Sequence, residues 1–168
     1  MIAVFIEASA LFRAYTHEPG SAVMDEIFSQ MEARRITGLL SHLSIPEILR
    51  GIIKRKNLGE LDEDEAQKII DSILFDLNTR IMNDELQILG LKDEYLPEVN
   101  QLIRRSNFFV IDAIHLITAY HAAPALFLHA DSHFSVPVAE EMVRTIDIRN
   151  QDILKTVKKV IHDTHRSA

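Results

Sequence analysis

The chain is predicted to fold as an α/β protein, a three-layer α/β/α sandwich with a central, mainly parallel sheet, on three observations. Residues 2–6 (Ile2-Ala3-Val4-Phe5-Ile6) and 125–128 (Ala125-Leu126-Phe127-Leu128) are unbroken apolar runs, as expected of parallel strands buried on both faces. Helical patterns separate the strand-like runs, which calls for right-handed crossovers that cover the sheet. The 168 residues, 47% of them apolar, suffice for a single domain over 1–168 with one substantial core.

The elements follow in order. After the first strand, 9–15 reads as a short helix, and Glu18-Pro19-Gly20-Ser21 breaks the chain before a second helix through Met31. Residues 36–40 read as the second strand despite Gly38. The next helix starts near Ile45, with a Ser44-x-x-Glu47 capping box and Pro46 in its first turn, and ends near Lys56, where three cations suit the negative end of the helix dipole. Asn57-Leu58-Gly59 is a turn. A second capping box, Asp62 with Glu65, opens a helix whose Ala66, Ile69, Ile70, Ile73, Leu74 and Leu77 form one apolar stripe. Residues 86–89 read as the third strand, and an amphipathic helix runs from Asp93 towards Arg105. Residues 112–122 then read as a helix, the 125–128 strand follows, and a short helix near 138–143 leads to a last strand over 144–148. The tail over 151–161 is a final amphipathic helix.

Four carboxylates, Glu7, Glu47, Asp112 and Asp131, stand at the edges of these elements. Glu7 closes the first strand, and Asp131 follows the 125–128 strand. Glu47 and Asp112 sit at helix starts. Ligands of open α/β sheets gather at the carboxyl ends of the strands, so all four acids are expected in one cleft, as a hard-cation site for Mg2+ or Mn2+. Each has a simpler reading. Glu47 serves equally as capping-box partner of Ser44, and Asp112 and Asp131 serve as helix N-caps. Glu7 fits that reading poorly, since Glu is not a preferred N-cap residue.

Four segments carry a family resemblance: residues 5–11 with Glu7 and Ser9, 41–51 with Ser44-Ile45-Pro46-Glu47, 111–119 with Asp112 and His115, and 128–134 with His129, Asp131 and His133. In order and spacing they resemble the motifs of PIN domains, the metal-dependent ribonucleases that include VapC-type toxins. The resemblance implies a PIN-like endoribonuclease that holds Mg2+ or Mn2+ through Glu7, Glu47, Asp112 and Asp131 and hydrolyses RNA phosphodiesters. Asp112 and Asp131 are the foremost direct ligands on this reading. It also implies a toxin–antitoxin pair, an antitoxin protein as partner, and a homodimer. The chain carries Glu7 where the family has Asp and His129 where it has Thr. The longer Glu7 side chain is expected to loosen the site and favour Mn2+ over Mg2+, which demands near-ideal octahedral geometry.

Ser9 is expected to support the site by hydrogen-bonding a neighbouring carboxylate or a bound water, or else to be an ordinary helix-start hydroxyl. Arg50 and Lys54 lie three and seven residues after Glu47, on its helix face. His115, in a helix, reads as a packing or surface residue. His129 and His133 flank Asp131 and invite a mixed His/carboxylate site.

Composition sets further bounds. The net charge of -7 argues against a protein that coats nucleic acid. With no cysteine, thiolate catalysis and cysteine zinc sites are excluded, and a cytoplasmic setting is expected. No apolar run reaches the length of a membrane span, and the N-terminal run lacks the flank of a signal peptide. A catalytically degenerate PIN domain that binds a protein or RNA is the alternative reading. An aspartyl-nucleophile phosphatase is disfavoured by Glu7, and a dinucleotide-binding fold by the lack of a G-x-G-x-x-G after the first strand. The surplus of amphipathic helices predicts a homodimer with an apolar groove for a partner peptide or helix.

Overall fold

The computed structural model describes residues 2–16, 18–150 and 153–166, with side chains described up to position 162. Strand β1 (Ile2–Ile6) is followed by α1 (Ala8–Arg13) and α2 (Ser21–Glu32), then by β2 (Ile36–Ser41), α3 (Ser44–Asn57) and α4 (Glu63–Met82). Next come β3 (Leu86–Leu89), a 3₁₀ turn at Asp93–Tyr95, α5 (Leu96–Ser106), α6 (Val110–Ala122) and β4 (Leu126–His129). A 3₁₀ turn at Ser132–Phe134, α7 (Pro137–Met142), β5 (Thr145–Asp147) and α8 (Ile153–Arg166) complete it.

The sheet has the order β3-β2-β1-β4-β5, and every strand pair is parallel. From β1 the chain steps outward through β2 to β3, then returns to place β4 on the other side of β1. The crevice at the carboxyl ends of β1 and β4 is therefore the topological switch point, where such sheets hold ligands.

Strand alternation divides the core in two. Val4, Ile6, Leu126 and Leu128 pack on one face with α2, α4 and α8, whereas Phe5, Leu39 and Phe127 pack on the other with α5, α6 and α7. Phe5 and Phe127 are register partners, and their rings stack at 5.2 Å. With both faces covered, the sheet is the middle of three layers, as the apolar runs predict. Gly38 is explained by close approach, because a Cβ there would meet Leu86 at 2.7 Å and Met31 at 3.0 Å.

Several boundaries move, with chemical consequences. The Asp62–Glu65 capping box forms in both directions. The Ser44–Glu47 box does not: α3 begins one residue earlier than expected, Leu43 takes the cap position in the αR region, and Ser44 Oγ is buried without a hydrogen-bond partner. Asp112 is the third residue of α6, not its opening residue, because Phe109 is the N-cap. The helix expected from Asp93 is split, with Pro97 at the start of α5, where its missing N–H costs nothing. Of the tail helix, positions 151 and 152 lie outside the described residues. The α4 stripe buries Ala66, Ile73 and Leu77 but leaves Leu74, Phe75 and Met82 exposed. No helix among the described residues is long and apolar enough to cross a membrane.

One buried cation ties α4 to its neighbours. Arg80 pairs with Glu32 at 3.0 Å and with Asp76 and Glu85 at 3.1 Å, and its guanidinium lies 4.0 Å over the Phe28 ring. Arg80→Ala is expected to destabilise the fold by about 2–3 kcal/mol, because it strands the largely buried Glu85 carboxylate, while the solvated Glu32 loses little. A urea midpoint unchanged from the native protein would contradict this role.

Candidate metal centre at the switch point

The cleft at the carboxyl ends of β1 and β4 is lined by Glu7, Ser9, Glu47, Lys54, Asp112 and Asp131, together with Phe12, Arg13 and Arg55. All four acids singled out in the sequence reach it, drawn from the ends of two strands and the first turns of two helices. Arg50 is exposed and is not among the lining residues.

Glu7 is buried immediately after β1 and, against expectation, is the N-cap of α1. Its Oε2 accepts the Ser9 N–H at 2.8 Å and also the Ser9 hydroxyl, while Ser9 Oγ accepts from the Ala130 N–H at 2.9 Å. Ser9 thus satisfies an orphan donor beyond β4 and fixes the carboxylate of Glu7. Burial pushes the Glu7 carboxyl up to about 7, and His115 and the two Ser9 hydrogen bonds hold it back from rising further.

Glu47, freed from the capping box, hydrogen-bonds His115 Nε2 across the cleft. His115 is fully buried, and its Nδ1 has no hydrogen-bond partner. It is therefore neither a surface nor a plain packing residue. The signal available in the sequence was its setting: a lone polar ring amid Ala113-Ile114 and Leu116-Ile117 must find a partner when that helix is buried. That partner lies 68 positions away in the chain.

Asp112 and Asp131 form a second pair joined by His133. His133 Nδ1 lies 3.2 Å from Asp112 Oδ2 and 3.5 Å from Asp131 Oδ1. Burial, and next the charge of Asp131, raise the Asp112 carboxyl above its ordinary range. Asp131 also caps the following 3₁₀ turn by accepting the His133 N–H at 2.9 Å, so its capping reading holds alongside its place in the cleft. His129 is buried beside Phe134, at 5.6 Å between ring centroids, and burial lowers its pKa. The invited mixed His/carboxylate set exists, but with His115 as the imidazole.

Ligand atoms of Glu7, Glu47 and His115 all lie within 4.8 Å of one another. Glu47 and His115 are already in hydrogen-bond contact, so an ion held by all three would take the place of the proton between them. Two carboxylates with one imidazole suit Mn2+ better than Mg2+, which prefers oxygen donors throughout. The convergent set thus includes Glu7 and Glu47 from the acids named in the sequence, while Asp112 and Asp131 face the same cleft as a second pair.

Two cations missed in the sequence stand over the cleft. Arg13 and Arg55 both pair with Glu18, the latter at 2.5 Å, and Arg55 lies 4.8 Å over the Phe12 ring.

No protein-family model matches the chain, and no curated protein matches it. Solved structures do. The crystal structure of PAE2754 from Pyrobaculum aerophilum superposes with a TM-score of 0.61 at 15% identity, over 96% of this chain and 90% of that one. A chain of VapBC2 from Rickettsia felis, solved bound to a DNA fragment from their promoter, matches with a TM-score of 0.55 at 13% identity, over 86% of this chain and 98% of that one. At such identity the matches speak for fold, and together with the parallel sheet and its switch-point cleft they show that the chain has the PIN-like α/β/α fold.

Proposed function

We propose that the protein is a metal-dependent endoribonuclease of PIN type, the toxin of a toxin–antitoxin pair, acting in the cytoplasm on RNA. The observation that carries this reading is the convergence of Glu7, Glu47 and His115, with Asp112 and Asp131 beside them, at the switch point of a PIN-like sheet. Glu7, Glu47 and His115 would hold the ion, Mn2+ in preference to Mg2+. When bound, such an ion lowers the pKa of water and offsets charge on a phosphoryl group.

The chain's own groups do the rest. Ser9 holds the Glu7 carboxylate in place. Asp112, with its pKa raised by burial and by Asp131, accepts a proton from the attacking water, and His133 orients its carboxylate. Lys54 at the cleft wall offsets phosphate charge. Arg50, exposed on the same helix, contributes to longer-range attraction of RNA. The exposed Leu74, Phe75 and Met82 on α4 support the homodimer and the antitoxin as occupants of apolar surface.

A second reading is favoured by one feature of the site. Its groups satisfy each other internally, Glu7 through Ser9 and Glu47 through His115, and a Glu7 carboxyl titrating near 7 is only partly charged at neutral pH. A degenerate module that binds protein or RNA without cutting would look the same.

One set of measurements separates the two. On the endonuclease reading, Mn2+ raises the melting temperature, because it binds only the folded state. The protein then cleaves members of a single-stranded RNA panel, chelator stops cleavage, and light scattering gives a dimer mass. Growth arrest on expression, relieved by the product of a neighbouring reading frame, would support the toxin role. RNA left intact under every divalent ion would sink the nuclease reading, and binding retained without cleavage would establish the module.

A further inference from the structure

A second pocket, of about 600 Å³, opens beside the acidic cleft. Phe109, Asp112, Ser132, His133, Val136 and Pro137 are among its lining residues. Asp112 lines both cavities, so they share a wall. Phe109 is 67% exposed although it is a large aromatic residue, and its ring lies 5.1 Å from that of His133 at an interplanar angle of 48°. His133 is in turn 3.2 Å from Asp112. A solvent-facing phenyl ring and an imidazole therefore lead directly to a carboxylate of the cleft.

We propose that this pocket binds an unstacked nucleobase of the RNA, the base of a nucleotide flanking the scissile phosphate, with the exposed Phe109 ring as its stacking surface and His133 tilted against that ring at its edge. The inference rests on the nuclease reading and adds to it a specificity-determining subsite. Aromatic and histidine rings stack on unpaired bases, and every base offers a π-face. The volume suits a ring system of that class. Ser106, Asn107 and Ser132 on its lining supply donors and acceptors for a base edge. Arg104 and Arg105, both exposed, precede Ser106 in the chain and add the positive charge that a phosphodiester backbone requires. A base in this pocket puts the adjoining nucleotide beside the cleft whose wall Asp112 shares. In a duplex each base is paired and stacked, so the pocket selects single strands.

The test uses a hexaribonucleotide containing one 2-aminopurine, titrated with the full chain in the presence of chelator, so that base insertion is read without cleavage. Quenching of the fluorophore by the native protein is expected. Phe109→Ala should weaken that binding about tenfold, whereas Phe109→Tyr should keep it near native. An oligonucleotide abasic at that position should bind the native and Phe109→Ala proteins equally. Because Phe109 is exposed, its truncation empties no core space, and far-UV circular dichroism checks the fold. In a parallel arm with Mn2+, Phe109→Ala should raise KM for single-stranded RNA about tenfold with kcat little changed. No quenching by the native protein, or equal affinity of the native and Phe109→Ala proteins for the 2-aminopurine strand, would overturn the subsite while leaving any cleavage by the native protein to stand. Phe109-dependent quenching in a protein that cuts no RNA would uphold the base pocket and overturn the nuclease.

Discussion

Glu47→Gln is expected to lower RNA cleavage by about 100-fold or more and to abolish the Mn2+-induced rise in melting temperature, since loss of even an outer-shell partner of a metal site costs about 10–100-fold. The amide has the shape of the carboxylate and offers either a donor or an acceptor to His115 Nε2, so the pair across the cleft survives while the charge is lost. The fold should therefore be unaffected, and a failure to bind the ion would report on the site alone. Asp131→Asn makes the informative contrast. Asp131 pairs with Asp112 through His133 and caps the 3₁₀ turn, and an amide oxygen serves that cap as well. It should keep most of the Mn2+ shift and lose activity through the Asp112–His133 arrangement. If isothermal titration instead showed Asp131→Asn without Mn2+ binding and Glu47→Gln still binding, the ion would belong to Asp112 and Asp131, the acids that the sequence favours.

Glu7 gives the second large effect, on stability. Its carboxyl titrates at about 7 in the folded chain against 4.5 for the ordinary group, chiefly because it is buried. The folded state holds a proton across that window that the unfolded state has already released. The stabilising contribution of protonated Glu7 is thus complete below pH 4.5 and is lost as pH rises through 7, by up to about 3 kcal/mol. Glu7→Gln, a permanent mimic of the protonated form, should match the native protein at pH 4 and exceed it at pH 8 by nearly that amount, measured by urea unfolding in chelator. Mn2+ should reverse the order at pH 8, because it stabilises the carboxylate and expels the proton. Equal stability of the two metal-free proteins at pH 8 would show that Glu7 is already ionised without cost.

The sequence by itself determined the features that depend on near neighbours. Apolar runs and helical spacing placed the β1 and β4 segments and the helices between strands, and the Asp62–Glu65 box marked the start of α4 to the residue. The same patterns set Glu7, Glu47, Asp112 and Asp131 at element edges, and the switch-point rule brought them into one cleft. What the tertiary structure alone decided is which buried polar groups face one another. A start of α3 one residue earlier removed Ser44 from the cap and released Glu47 to His115. Glu7 became a cap because Ser9, held by the Ala130 N–H from beyond β4, stands over its carboxylate. These pairings span up to 121 positions and follow from desolvation, since a buried polar group must take the partner that the packed chain sets opposite it, and no local pattern names that partner.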